Sequence, residues 1–209
     1  MSKVVSMEQA VSMIKSGSTV VTSGFLIAGT ADGVIDAVSR SFDRSGTPND
    51  LTIMYAAGQG DKAGGLHERW AKKGLVRRWI GGHFGFCPKV VDMINNNEAE
   101  AYNLPLGVIV EMYRAMGQGK KGYMTNVGLE TFVDPRLEGG KLNAVTTEDI
   151  VKVVQVEGEE LLYYKLPKVD VAIIRATTAD TNGNCTIEDE ILPMDMLTAA
   201  MAAKGCGGK

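Results

Sequence analysis

The stretch Ser18-Thr-Val-Val-Thr-Ser-Gly-Phe25 decides the fold. Thr19 to Thr22 is β-branched throughout and reads as a buried strand, because branched side chains fit a pleated surface better than a helix. The run breaks into a loop at Ser23-Gly24-Phe25. On either side the apolar period changes from two to about 3.6, the helical value. Upstream, Met7, Ala10, Val11 and Ile14 make one stripe behind Ser6, an N-cap candidate, and Gly17 ends that helix. Downstream, Ile35, Val38 and Phe42 share one side of a second helix, predicted over Ala31 to Phe42.

The strand–loop–helix unit then recurs. Pro48-Asn49-Asp50 is a turn, and Leu51 to Ala56 is a strand running into Gly58-Gln-Gly-Asp-Lys-Ala-Gly-Gly65. Trp79-Ile80 is a strand ending at Gly81-Gly-His-Phe-Gly85, followed by a helix over Pro88 to Ile94. Ala99 to Tyr102 is a strand, Leu106 to Met116 a helix, and Lys120 to Asn143 loop-rich. Val151 to Val156 and Leu161 to Tyr164 form a hairpin-like pair, and Val169 to Arg175 is the strongest strand. Asp180 to Asn184 is a turn, Cys185 to Ile187 a short strand, and Ile191 to Lys204 a helix. Alternating strands and helices predict an α/β fold: an open, mostly parallel sheet with helices on both faces. With no repeat, linker or change of composition, residues 1–209 read as one domain. A strand normally follows a helix such as the last one, so the chain is expected to stop inside a larger protein.

Of the 209 residues, 44% are hydrophobic and 22% charged, which is ordinary for a soluble globular protein. The net charge of -3 argues against nucleic acid, whose phosphates need a clustered basic face. The one basic cluster, Arg69, Lys72, Lys73, Arg77 and Arg78, reads as a solvated helix face or a subunit contact. Cys87, Cys185 and Cys206 are odd in number and outside metal-ligand spacing, so neither a disulfide framework nor a cysteine metal site is expected. The start is amphipathic and acidic, unlike a signal peptide, and no apolar run reaches the ~20 residues that span a bilayer. A cytoplasmic, membrane-free protein is the expectation.

In an open α/β sheet, ligands sit outside the carboxyl ends of the strands. Ser23-Gly24-Phe25, Gly58-Gln59-Gly60 and Gly82-His83-Phe84-Gly85 all follow strands, and Asn103-Leu104-Pro105-Leu106-Gly107 follows a fourth. Any one of these is explained as a tight turn. Together they predict a carboxylate or thioester pocket, since glycine lets a ligand approach backbone N–H groups. Gly117-Gln-Gly-Lys-Lys-Gly122 spells a dinucleotide fingerprint but follows a helix, which removes the required context. His67 and His83 are too few and too far apart in the chain for a histidine metal site, and His83 is the better functional candidate because of its strand-end loop. Ser23 lacks a nucleophile elbow and reads as a hydrogen-bonding loop residue. The methionine stripe Met194, Met196 and Met201 reads as core or interface.

Ser23-Gly24-Phe25, Tyr55-Ala-Ala-Gly-Gln59-Gly60, Gly81-Gly-His-Phe-Gly85, Glu100-Ala-Tyr-Asn103, Val127-Gly-Leu-Glu-Thr-Phe-Val-Asp-Pro-Arg136, Gly139-Gly-Lys-Leu-Asn143 and Ala179-Asp-Thr-Asn-Gly-Asn184 occur in that order. Together they resemble family I CoA-transferases, especially the propionate or acetate group, over nearly the whole chain. The resemblance implies two related α/β halves and ping-pong chemistry, in which a glutamate attacks an acyl-CoA and then holds CoA as a glutamyl thioester. It places that glutamate in an E-x-G loop of the second half. Here only Glu138-Gly139-Gly140 fits that pattern, and it belongs to a separate family element, so no catalytic residue is assigned. This chain matches the N-terminal, alpha-type half. By position Gly24, Phe25, Gln59, Gly60, His83, Asn103 and Gly107 are the substrate-binding candidates, with the Gln59 amide donating to a carboxylate. Relatives often carry proline where Ala31 opens the second helix. The resemblance implies no permanently bound cofactor, coenzyme A thioester and a short-chain carboxylate as substrates, and a C-terminal half or beta-type subunit as partner. A homo-oligomer is expected. The competing readings are a non-catalytic acyl- or carboxylate-binding module or regulatory subunit, and a sugar-phosphate isomerase of the same general fold. The last needs clustered basic groups that these loops lack.

Overall fold

A computed structural model describes residues 2–209. Helix α1 (Met7–Met13) starts on a reciprocal cap: the Gln9 N–H donates to Ser6 Oγ and the Ser6 N–H to Gln9 Oε1. Strand β1 (Thr19–Thr22) follows. Helix α2 (Asp32–Ser45) continues past Phe42 until Gly46 closes it in the left-handed conformation. Strand β2 (Leu51–Tyr55) is buried along its whole length. A 3-10 turn (Leu66–Trp70) leads to β3 (Val76–Gly81), α3 (Pro88–Asn95), β4 (Glu100–Asn103) and α4 (Leu106–Gly117). After β5 (Gly122–Thr125) come the hairpin β6 (Val151–Val156) and β7 (Glu159–Lys165), then β8 (Val171–Ile173), β9 (Thr178–Ala179), β10 (Cys185–Thr186) and α5 (Met196–Gly205).

The main sheet has the order β4-β3-β2-β1-β8, and every neighbouring pair is parallel. One face packs under α1, α2, the 3-10 turn and α3 through residues such as Val11, Ile35, Val38, Trp70, Trp79 and Val90. The other packs under α4, α5 and the β5-β7-β6 antiparallel sheet through Val108, Met112, Tyr113, Leu162, Tyr164 and Ala199. The parallel sheet with helices on both faces is the expected one. Each fully buried apolar side chain stabilises the fold by about 1.5–3 kcal/mol before entropy is counted. Trp70 also donates its indole N–H to the Ile35 carbonyl at 2.8 Å, tying α2 to the 3-10 turn.

The structure departs from the sequence expectations in several places beyond the longer α2, the 3-10 turn and the earlier start of β3. Strand β8 keeps only Val171–Ile173 of the predicted Val169–Arg175, because only those residues find partners on β1. Helix α5 begins at Met196 rather than Ile191. Pro193 disfavours helical backbone at Leu192, and Met194 holds a positive φ of 42°. The loop-rich segment 120–143 contains β5, paired to β7, and the short strand expected at Cys185 is present as Cys185–Thr186, paired to an unexpected strand at Thr178–Ala179. At the far end, the Lys209 N–H donates to Asp170 O, and the Ala172 N–H donates to Lys209 O.

Four of the five side chains of the basic cluster are paired with acids. Arg69 meets Asp32 and Asp36, Lys72 meets Asp43, and Arg77 and Arg78 meet Glu100. Among the described residues, no helix is long and apolar enough to cross a membrane, and no cluster of potential ligands could hold a metal ion.

Candidate functional site

A parallel sheet sends every strand out along the same edge, so the turns after β1, β2, β3 and β4 meet there. Backbone hydrogen bonds stitch them together. Phe25 and Ala28 form a tight bridge with Leu26 at φ 53°. The Leu26 N–H donates to Gly58 O at 2.8 Å, and the Gly60 N–H donates back to Leu26 O at 3.1 Å. The Gly82 N–H donates to Tyr55 O, and the Leu104 N–H to Gly81 O. Glycine is required at two of these seams. Gly24 holds φ 137°, and a Cβ on Gly60 would lie 2.5 Å from Cys87 Sγ and 2.7 Å from the Phe86 carbonyl carbon.

Above this seam lies an accessible aromatic shelf. Phe25, 37% exposed, meets Phe86 edge-on at 6.0 Å between centroids, and the His83 ring lies 4.4 Å from Phe86. Lys62 Nζ sits 5.7 Å from the centre of the same Phe86 ring. The backbone N–H groups of His83, Phe84, Gly85 and Phe86 donate to no acceptor among the described residues. Successive free N–H groups in a turn make an anion-binding concavity.

Below the seam the floor is polar, buried and neutral. The Thr22 hydroxyl and His67 Nε2 share a hydrogen bond of 2.9 Å, and His67 is wedged among Tyr55, Trp70 and Trp79. Burial lowers the His67 pKa to about 3, so the imidazole is neutral. Gln59 is also buried; its Nε2 donates to Thr22 O at 3.2 Å and its Oε1 has no partner. The Cys87 thiol donates to Gln59 O at 2.7 Å, and burial pushes its pKa up to about 12.

Of the candidates, Gly24, Phe25, Gln59, Gly60 and His83 converge within these stitched turns. Asn103 joins from β4, its Nδ2 donating to Gly81 O at 2.9 Å. Gly107 lies exposed in the first turn of α4, with nothing within 4 Å of the position its Cβ would take. Three acids near the turns, Asp61, Glu68 and Asp195, are structurally committed. Asp61 accepts from the Ala63 and Gly65 N–H groups, and those bonds hold its carboxyl below the usual range. Glu68 accepts from the Gly64 and Lys89 N–H groups. Asp195 accepts from the Ser23 hydroxyl at 2.7 Å. Glu138 is exposed on a turn whose Gly140 carbonyl accepts from the Asn103 N–H.

Sequence reasoning missed Lys62, Phe86 and Asp195. For Asp195 a signal existed: an aspartate after a proline and before an Ala/Met run marks a helix start. For the shelf there was none, since the loops meet only through the sheet.

The family model described as Coenzyme A transferase matches residues 4–206. The chain is 42% identical over 208 residues to a caffeate CoA-transferase of Acetobacterium woodii, covering 100% of this chain and 40% of that protein. The crystal structure of an E. coli O157:H7 acyl-CoA transferase (YdiF) in a thioester complex with CoA superposes with a TM-score of 0.95 at 38% identity, covering 99% of this chain and 41% of that one. The alpha subunit of the acetate CoA-transferase of E. coli K12 is 27% identical, covering 89% of this chain and 75% of that subunit. The chain thus spans about two fifths of the first two proteins and most of the third. With matched residues running from the first helix to the last and the same fold around the strand-end turns, this chain belongs to the coenzyme A transferase family.

Proposed function

We propose that the complete protein transfers CoA from an acyl-CoA to a free carboxylate, and that this chain supplies the acid-recognising side of the cleft. One observation carries the reading: four strand-end turns form a continuous edge that presents free N–H groups beside an accessible aromatic shelf. Such an edge suits a carboxylate and the oxyanion that develops when its acyl carbon is attacked. Asp61, Glu68 and Asp195, the acids bonded into the turns, are engaged in holding structure, which fits a nucleophilic glutamate supplied by a C-terminal half or beta-type subunit. The CoA thioester complex of the YdiF relative supports CoA as substrate, and the alpha-subunit relative supports a partner subunit.

The first reading of the acid is a short-chain monocarboxylate such as acetate or propionate. A second reading, an aromatic acid, draws support from the caffeate-acting relative and from the Phe25–Phe86–His83 shelf, on which a planar ring can stack. The test is thioester exchange from acetyl-CoA to propionate and to caffeate by the complete protein, followed by chromatography. Exchange with either acid supports the family reading, and the preferred acceptor separates the two. No exchange with any carboxylate would favour a non-catalytic binding module or regulatory subunit. Residues 1–209 alone are expected to be inactive, and transfer by them would place the nucleophile within this chain.

A further inference from the structure

The strand order reverses at β1. From there the sheet grows through β2, β3 and β4 on one side and through β8 on the other. The crevice outside the carboxyl ends at such a switch point is where open α/β sheets take ligands. A side chain from far along the sequence reaches into it. Asp195, 6% exposed, accepts the Ser23 hydroxyl at 2.7 Å across 172 positions. Ser23 is anchored from below as well, its N–H donating to Ile173 O on β8 at 3.3 Å. The next residues are Gly24 and the Phe25–Ala28 turn, which Leu26 ties to Gly58 and Gly60.

Asp195 is not an ordinary helix-starting aspartate. It occupies the N-cap position of α5, where its carboxylate would normally accept N–H groups of the first turn, yet it makes no such bond. The residue before it, Met194, holds φ 42°, an uncommon conformation for a side chain of that kind. Oδ2 is buried without a partner among the described residues. Burial raises the carboxyl's pKa, while the Ser23 hydroxyl and the nearby Gly24 N–H favour its charged form. The helix start gives up its cap and accepts local strain, and in return the carboxylate is aimed at the β1 turn.

We infer that Asp195 is a positioning residue: through Ser23 it sets the Gly24–Ala28 turn, and with it the Phe25 side of the acid-binding crevice. It touches no reacting atom. The kinetic consequence rests on the CoA-transferase reading; the conformational one does not.

The experiment uses the complete protein with Asp195→Ala, Asp195→Asn, Ser23→Ala and the Asp195→Ala/Ser23→Ala double variant. Each alanine variant is expected to raise KM for the acceptor acid about tenfold, or about 1.4 kcal/mol, with a much smaller change in kcat. The double variant is expected to be no worse than either single one, because both remove the same bond. Asparagine keeps an oxygen that accepts the serine hydroxyl, so Asp195→Asn should stay near the parent. Limited chymotrypsin digestion supplies a readout without activity: cleavage after Phe25 should rise about tenfold in the alanine variants and remain slow in Asp195→Asn. Additive kinetic effects, unchanged cleavage, or an asparagine variant as impaired as alanine each overturn the inference. Should the parent protein exchange CoA with no acid, the function fails on that ground, and the digestion pattern still decides the role of Asp195.

Discussion

Two glycines that look alike in sequence should respond oppositely to a methyl group. An alanine Cβ at position 24 would collide with Thr30 Oγ1 and lie 2.8 Å from the Ala28 carbonyl oxygen. The φ of 137° at Gly24 adds a conformation that L side chains rarely adopt. Backbone strain of that kind costs about 1–3 kcal/mol. Overpacking costs about 1–3 kcal/mol more. The Ala28 oxygen is main chain inside a stitched turn and cannot swing away, so Gly24→Ala should lose about 4 kcal/mol. For a chain of this size each kcal/mol shifts the melting temperature by about 2–4 °C, which predicts a fall of about 8–16 °C. At Gly107 the new Cβ meets nothing within 4 Å, and the residue sits inside α4. There Gly107→Ala should stabilise by about 0.5–1 kcal/mol through helix propensity and reduced unfolded-state entropy. Thermal unfolding of both variants, followed by circular dichroism, checks the pair. A Gly24→Ala protein melting within about 2 °C of the parent would refute the turn geometry on which the site is built.

Three further outcomes follow from the buried groups. The unfolded chain binds a proton at His67 near pH 6.5, but burial delays this to about 3 in the folded state, so that contribution to stability is full above 6.5 and lost as pH falls. Between pH 6.5 and about 4.5 it amounts to about 2–3 kcal/mol, and His67→Phe should remove this part of the pH slope of urea midpoints; an unchanged slope contradicts the buried neutral imidazole. Iodoacetamide near pH 8 should label exposed Cys185 in the folded protein and leave buried Cys87, its thiol pushed up to about 12, unmodified until unfolding. Peptide mass spectrometry reads both sites, and native labelling of Cys87 would count against the floor described. Arg78 joins Glu100 on β4 to Glu148 ahead of β6, but Glu100 keeps Arg77 and Glu148 keeps Lys165 when it is removed, so Arg78→Met should cost no more than about 1 kcal/mol, seen as a slightly lowered urea midpoint with an unchanged slope.

The sequence by itself determined the layer architecture and the edge that bears the site. Branched runs such as Thr19–Thr22, caps such as Ser6, and stripes such as Ile35–Val38 are local cues that act over a few residues. Once strands alternate with helices the sheet is parallel, and a parallel sheet gathers the turns bearing Gly24, Gln59, His83 and Asn103 on one edge. Even the true start of α5 was legible in Pro193 and Asp195, against an apolar pattern that ran on from Ile191. Only the tertiary structure decided which side chains meet across that edge. The bond from Thr22 to His67 joins residues 45 apart, and the one from Ser23 to Asp195 joins residues 172 apart. Such contacts arise from the register of β1 against its neighbours and the packing of α5 on α4, and these distances in space leave no period or motif in the chain.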